Sequence, residues 1–274
     1  MSLFKFFWLA GILLIWPPST HGKSPDGKPI FAASTTMIAS LLRDIGGKEF
    51  QILTILPPAS CPGHFDLKPN DLRLLRRSTL LICHPYQQAL QKAFRQYFPD
   101  ENRWLILPEE SSLSLPDQYI KAGRYLGQNL RDQFPEKASF LTLHWTQREN
   151  EIRRLKMEMQ EKFGAQGASS FPLIVSLRQK EFVEFWGFPV RGSFDDPEGT
   201  SMPKLRELIQ NGRRAKVRAI VGNLQSGDRQ ALLLSEKIGI PLIVLSNFPG
   251  GEQNTASYLE LLQANCSKLL AMME

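Results

Sequence analysis

Short apolar runs along this chain are each followed by a segment whose apolar positions have helical spacing. The runs at residues 50–56 and 78–83 are typical, because β-branched and aliphatic side chains predominate in them. Strands separated by helices favour parallel sheets that are covered on both faces. The predicted strands are residues 29–33, 50–56, 78–83, 104–107, 171–176, 217–221 and 241–245. The predicted helices are 34–42, 72–77, 86–97, the segment from 116, 179–186, 203–210, 225–238 and 256–272.

The middle of the chain breaks this alternation. Residues 136–163 contain no glycine and no proline, and their apolar positions form one helical stripe: Leu141, Trp145, Ile152, Leu155 and Met159. The stripe predicts a helix of about 28 residues, roughly 40 Å long. We therefore predict an α/β fold in which two doubly wound lobes with parallel sheets are joined by one long helix. The predicted lobes are residues 23–135 and 165–274, with the linking helix at 136–164.

The amino-terminal segment has the features of a secretory signal peptide. Lys5 provides its positive charge, and the apolar run at residues 6–16 is too short to span a bilayer. Small residues near Gly22 suit cleavage, so residues 1–22 are predicted to be removed. We expect export, most simply to a bacterial periplasm, and a soluble mature protein.

Charge and cysteine content narrow the function classes further. The formal charge of +6 falls to +5 when Lys5 is lost, and the basic residues are scattered along the chain. Nucleic-acid binding requires a denser basic stripe with aromatic side chains, so we do not expect it. The chain has three cysteines, and an odd number leaves at least one thiol outside a disulfide.

Candidate metal ligands lie in two places that parallel topology brings to one edge of a sheet. Cys61 and His64 lie in a proline-rich loop after the strand at 50–56, and His84 follows the strand at 78–83. Thiolate and imidazole ligands at this spacing suit zinc or another transition metal. Neighbouring Cys83 points to the opposite face of its strand, so we expect it in the core. We predict a three-ligand site of Cys61, His64 and His84.

Each of these residues also has a purely structural interpretation. Cys61 could form a disulfide with Cys83 or, less readily, with Cys266, because exported thiols commonly oxidise. His64 and His84 could simply be hydrogen-bonded histidines. Catalysis is less favoured, because the chain has neither a Gly-x-Ser-x-Gly nucleophile elbow nor a phosphate-binding Gly-x-x-x-x-Gly-Lys loop. We expect a binding protein without enzymatic activity or an organic cofactor.

The chain resembles the periplasmic substrate-binding proteins of zinc and manganese ABC transporters. The resemblance is carried by matching segments spread over the mature chain: residues 33–39 with Gly46 and Gly47, 57–71, 78–82, 173–176, 217–221, 239–245 and 255–265. It implies a monomer whose lobes tilt only slightly, and which delivers a transition metal, most simply zinc, to a permease in the inner membrane.

The standard metal ligands of that family are replaced in this sequence. The first ligand position falls at Cys61 to Gly63, and the second at Ser111 and Ser112. The third falls at Leu177 and the fourth at Ser246. The resemblance therefore leaves two alternatives open: a protein that binds a metal chelate or small organic solute, and a scaffold protein that has lost the site.

Overall fold

Two four-stranded parallel sheets organise the molecule. The computed structural model describes residues 24–60, 68–98, 103–108, 112–195 and 200–274. The first sheet has the strand order β2-β1-β3-β4 and the second the order β6-β5-β7-β8. Their strands are β1 (Ile30–Ala33), β2 (Gln51–Thr54), β3 (Leu80–Cys83), β4 (Trp104–Ile106), β5 (Leu173–Ser176), β6 (Val190–Phe194), β7 (Ala219–Asn223) and β8 (Leu242–Leu245).

The helices lie between consecutive strands, apart from the final one. They are α1 (Thr36–Gly46), α2 (Pro69–Arg77), α3 (Gln88–Tyr97), α4 (Pro116–Gln133), α5 (Ala138–Ala165), α6 (Lys180–Phe185), α7 (Met202–Arg214), α8 (Arg229–Ile238) and α9 (Tyr258–Ala271). Their placement between parallel strands confirms the predicted fold class of two α/β lobes joined by a long helix. None of the helices in the described part of the chain is long and apolar enough to cross a membrane.

The long helix α5 supports a core that extends along both lobes. Leu141, Trp145, Ile152 and Met159 are buried on it, as the apolar stripe predicts, and Phe163 extends the stripe by one turn. These side chains belong to one apolar cluster that also contains residues of both sheets. The connection between the lobes is therefore a packed rod rather than a flexible linker.

Some elements differ from the sequence prediction. Strand β6 was not predicted, because Arg191 and Gly192 interrupt its apolar pattern, and it forms at the sheet edge by pairing with β5. Strand β2 is an edge strand and only half-buried, whereas a buried strand was expected. Helix α2 begins at Pro69, three residues earlier than predicted, and the Asp71 carboxylate accepts a hydrogen bond from Lys68 N–H.

The carboxyl ends of the two sheets face a cleft between the lobes. Gln225 Nε2 of the second lobe donates to the backbone oxygen of Pro58 in the first, at 2.9 Å. Ser112 N–H of the first lobe donates to Glu181 Oε2 of the second, at 3.0 Å. These two hydrogen bonds cross the cleft, and the loops that follow the strands line it.

Candidate functional site

His84 lies immediately after β3 and is buried at the first lobe's side of the cleft. Its Nε2 is 2.7 Å from Thr35 Oγ1, and its ring stacks on Tyr86 with centroids 4.8 Å apart. Thr35 is the N-cap of α1, and its hydroxyl also accepts the Ile38 N–H at 3.4 Å. Thr35, which lies between β1 and α1, thus fixes the orientation of the His84 imidazole.

Gln87 organises the backbone beside His84. Its Oε1 accepts the Ser34 hydroxyl at 2.5 Å and the His84 N–H at 3.0 Å. A backbone N–H can only donate, so the oxygen of the Gln87 amide must face His84 and Nε2 must point away from it. Within the described residues, that Nε2 is buried and has no hydrogen-bond partner.

The predicted three-ligand site is only partly within the described structure. Cys61 and His64 lie outside the described residues, so their part of the hypothesis stays a prediction. Within the described ranges, no group of three or more His, Cys, Asp or Glu side chains could hold a metal ion. Of the three predicted ligands, His84 alone can be placed, at the cleft end of β3.

The two cysteines in the described part of the chain are buried in the core. Cys83 is fully buried, as expected from strand alternation, and its thiol lies 3.9 Å from the Leu105 carbonyl oxygen. Cys266 is a free, buried thiol on α9, and burial raises its pKa well above the ordinary value. Because Cys266 is a free thiol, it does not form the disulfide considered for Cys61.

The second lobe contributes a cluster of amides. Gln179, which is fully buried, donates from Nε2 to Asn223 Oδ1 and to Asn247 Oδ1, both at 2.9 Å. Asn223 Nδ2 in turn donates to Ser226 Oγ, which orients its oxygen toward Gln179. Gln179 Oε1 is therefore buried without a hydrogen-bond partner in the part of the chain that the structure describes.

The described family ligand positions contain side chains that are poor metal ligands. Ser246 is fully buried, and its hydroxyl donates to Phe248 O at 3.0 Å while accepting from Gln225 Nε2 at 3.0 Å. Leu177 is exposed, and Ser112 Oγ pairs with Ser114 Oγ at 2.8 Å. Ser246 is thus part of a turn, and the second lobe offers amide and hydroxyl groups where the family resemblance implies carboxylate or imidazole.

Sequence reasoning missed these amides. Each follows a strand closely: Gln87 after β3, Gln179 after β5, Asn223 at the end of β7 and Asn247 after β8. The rule that ligands bind beyond the carboxyl ends of parallel strands would have selected them. No local sequence motif marks them, because they come together only through the sheet topology.

Solved structures with the same architecture cover nearly the whole chain. ZnuA matches with a TM-score of 0.77 and 14% identity over 90% of this chain and 100% of its own. The periplasmic zinc-binding protein TroA from Treponema pallidum matches with a TM-score of 0.77 and 16% identity, over 90% and 99%. The chain has the fold of the periplasmic metal-binding proteins.

The manganese-bound periplasmic metal-binding protein from Candidatus Liberibacter asiaticus also shares this metal-binding-protein fold, with a TM-score of 0.75 and 13% identity over 90% of this chain and 100% of that protein. No protein-family model matches the chain, and no curated protein matches it in sequence. The likeness is therefore one of fold, and the resemblance predicted from sequence is confirmed at that level.

Proposed function

We propose that this protein is a periplasmic solute-binding protein that captures a transition-metal ion, most simply zinc, and delivers it to an ABC import permease. It acts by binding and release, without catalytic turnover. The observation that supports this best is a buried imidazole, His84, at the cleft of a fold shared with zinc- and manganese-binding proteins. Residues 1–22 would direct its export.

The contact between His84 and Thr35 suits a metal ligand. Imidazoles that bind metals usually use one ring nitrogen for the metal and donate the other N–H to an outer group that orients the ring. With a metal at Nδ1, the proton on Nε2 would be donated to Thr35 Oγ1, which lies 2.7 Å away. Thr35 is itself held by its capping role on α1, so the ring is preorganised.

The remaining ligands in this proposal come from the loop that follows β2. Strands β2 and β3 flank β1, so their carboxyl ends lie at the same edge of the sheet. Cys61 and His64 follow β2 in sequence, and thiolate and imidazole would complete a site of three ligands with an open position. The cargo would then be held mainly by the first lobe, while the second lobe closes over it.

Metal content tests this proposal directly. The protein should be purified without chelator or histidine tag, and zinc measured by plasma mass spectrometry for wild type, Cys61→Ser, His64→Ala and His84→Ala. We expect about one zinc per wild-type chain and a clear loss in each variant. His144→Ala is the matched control, because His144 lies on α5 and binds the Asp44 backbone oxygen instead. Metal-free wild type with reduced thiols, or unchanged content in all three variants, would overturn the proposal.

A further inference from the structure

An open pocket lies at the edge of the first sheet that faces away from the cleft. It is formed beside the amino ends of β1 and β2 and the carboxyl end of α1, by residues between Ser24 and Ile52. Its volume is about 560 Å³. Pockets that hold small organic ligands usually have volumes of about 300–1,000 Å³, so the space suits a ligand of that size.

Three cationic side chains and one carboxylate line this pocket. The cations are Lys28, Arg43 and Lys48, and the carboxylate is Asp26, so the lining has a formal charge of +2. Within the residues that the structure describes, the side chains of Arg43 and Lys48 are exposed and have no hydrogen-bond or ion-pair partner. An anion in the pocket therefore pairs with these two cations without displacing an internal partner.

Two closed turns fix the backbone around the pocket. In the first turn, Lys28 N–H donates to Ser24 Oγ at 3.0 Å, and Ser24 N–H donates to the Lys28 carbonyl at 2.8 Å. In the second, Gly47 adopts a φ of 52°, and its N–H donates to the Arg43 carbonyl at 2.8 Å. Lys28 Nζ donates to the Lys48 carbonyl at 2.7 Å and so joins the two turns. The pocket is thus built by the fold before any ligand binds.

The charges around the pocket favour an anion with two negative charges. The nearby carboxyl end of α1 has a partial charge of about −0.5, which offsets only part of the +2 of the lining. The Glu49 carboxylate does not neutralise these cations, because it is paired with Lys137. A phosphate monoester has a charge of about −1.5 to −2 at pH 7, which matches the lining. Guanidinium groups bind its oxygens through two parallel N–H donors, and ammonium groups add point charges.

The pocket also has an apolar part. Pro25, Phe50 and Ile52 contribute to its lining. An inorganic phosphate ion contacts only the charged part and leaves this apolar surface in water. An organic substituent on the phosphate covers it, and the burial of apolar surface adds to the affinity. The lining as a whole therefore favours an organic phosphate over the free ion.

We propose that this pocket binds a small, soluble organic phosphate monoester. Arg43 and Lys48 hold the phosphate, Lys28 adds positive charge, and the organic group lies against Ile52. The site goes beyond the proposed metal capture and is separate from it, because it lies at the amino ends of the strands whereas His84 follows the carboxyl end of β3.

Isothermal titration calorimetry of the full chain in phosphate-free buffer tests this proposal. The probes are phenyl phosphate and inorganic phosphate. The variants are Arg43→Gln and Lys48→Gln, which remove one charge each at exposed positions and are expected to leave the fold intact. Lys92→Gln is the matched control, because Lys92 is an exposed lysine of the same lobe on α3 and does not line the pocket.

We expect one phenyl phosphate to bind per chain, at least threefold more tightly than inorganic phosphate. Arg43→Gln and Lys48→Gln should each weaken phenyl phosphate binding by about three- to tenfold, the loss expected for one charge-assisted hydrogen bond at an exposed site. Lys92→Gln should change the affinity by less than twofold.

Three results would overturn the proposal. The first is no binding of phenyl phosphate to wild type, and the second is equal weakening in all three variants, which would indicate an effect of net charge alone. The third is binding to phosphatidylcholine vesicles that contain phosphatidic acid, without binding of phenyl phosphate, which would assign the cations to a membrane surface. Each of these results leaves the proposed metal capture standing, because neither Arg43 nor Lys48 is one of its ligands.

Discussion

Gln225 Nε2 and the backbone oxygen of Pro58 join the two lobes through a direct hydrogen bond of 2.9 Å. The same amide nitrogen also reaches Ser246 Oγ at 3.0 Å, and Gln225 Oε1 accepts the Asn247 N–H at 3.0 Å. A nearly buried side chain thus connects the loop after β2 with the loops after β7 and β8. Gln225 therefore links the two lobes directly.

Removing the Gln225 amide should weaken the whole fold. Gln225→Leu leaves the Asn247 N–H and the Pro58 oxygen without this partner, and each unsatisfied buried group costs about 1–3 kcal/mol. We expect the free energy of unfolding, measured by urea denaturation, to fall by about 2 kcal/mol. Gln263→Leu is the control, because its amide is exposed and bonds the neighbouring Ser267 hydroxyl on the same helix, and its change should stay below about 0.5 kcal/mol. Equal stability of the two variants would show that the bond between the lobes does not contribute.

Two helix glycines are expected to respond in opposite directions to alanine. A Cβ at Gly123 on α4 would overlap the Trp145 indole of α5, because the two helices are in close contact there. Gly164 lies near the end of α5, and among the described residues no atom beyond the neighbouring turns of its own helix lies within 4 Å of the position of an added Cβ. We expect Gly123→Ala to destabilise by about 1–3 kcal/mol through overpacking, and Gly164→Ala to stabilise by about 0.5–1 kcal/mol.

The melting temperatures of wild type and both glycine variants, measured at one pH, test this prediction. A higher Tm for Gly123→Ala than for wild type would mean that α4 and α5 are not packed as described. A lower Tm for Gly164→Ala would mean that the end of α5 is not helical.

A buried carboxyl group makes stability depend on pH. Burial raises the pKa of Asp44 from 3.8 to about 6, although the Arg148 charge and the Tyr119 hydrogen bond both act to lower it. Tyr119 OH donates to Asp44 Oδ2 at 2.8 Å. Arg148 Nε lies 3.0 Å from Oδ1, but its N–H is not directed at any acceptor, so this charge pair only partly offsets the loss of solvation.

The sign of the pH effect follows from the raised pKa. The folded state binds the Asp44 proton more tightly than the unfolded chain, so this stabilisation is complete below about pH 4 and is lost as the pH rises through about 6. A shift of this size corresponds to about 3 kcal/mol. We expect Asp44→Asn to remove this dependence, measured as the difference between wild-type and variant unfolding free energies from pH 4 to 7. Parallel profiles would contradict a raised Asp44 pKa.

The stacked pair Tyr119 and Tyr258 connects α4 with the start of α9. Their ring centroids are 3.7 Å apart with planes 7° from parallel, and Tyr258 OH donates to the Ser114 backbone oxygen at 3.0 Å. Tyr119→Phe keeps the stack but removes a hydrogen bond to Asp44, so the pKa of Asp44 should rise further. We expect a loss of about 1–3 kcal/mol at pH 7 and a smaller loss at pH 4, where Asp44 is protonated in both proteins. A loss of stability that does not depend on pH would mean that Tyr119 does not affect the ionisation of Asp44.

Local signals allowed accurate prediction where the sequence itself fixes the structure. Helix α1 begins after Thr35, whose side chain caps it, and it ends at Gly46, where Gly47 adopts a positive φ. Strand β6 could not be found in this way, because its pairing with β5 compensates for a weak apolar pattern that includes Gly192.

The candidate site shows the same division between local and long-range information. His84 could be placed from sequence, because a strand followed by proline must end near it. The cluster of Gln179, Asn223 and Asn247 could not be placed from sequence. Asn223 is 44 positions and Asn247 is 68 positions from Gln179, and the three side chains meet only once the second sheet has formed. Ser246 shows the limit of the family resemblance, since its position matches a metal ligand while its hydroxyl holds a turn.

The ligand atoms around bound zinc give the most direct test of metal capture by the first lobe. Zinc X-ray absorption spectroscopy of the loaded full chain should show one sulfur at about 2.3 Å and nitrogen ligands at about 2.0–2.1 Å. The sulfur shell should disappear in Cys61→Ser, and the nitrogen count should fall in His84→Ala. A first shell of oxygen alone, unchanged in both variants, would contradict the assignment of Cys61 and His84 as ligands.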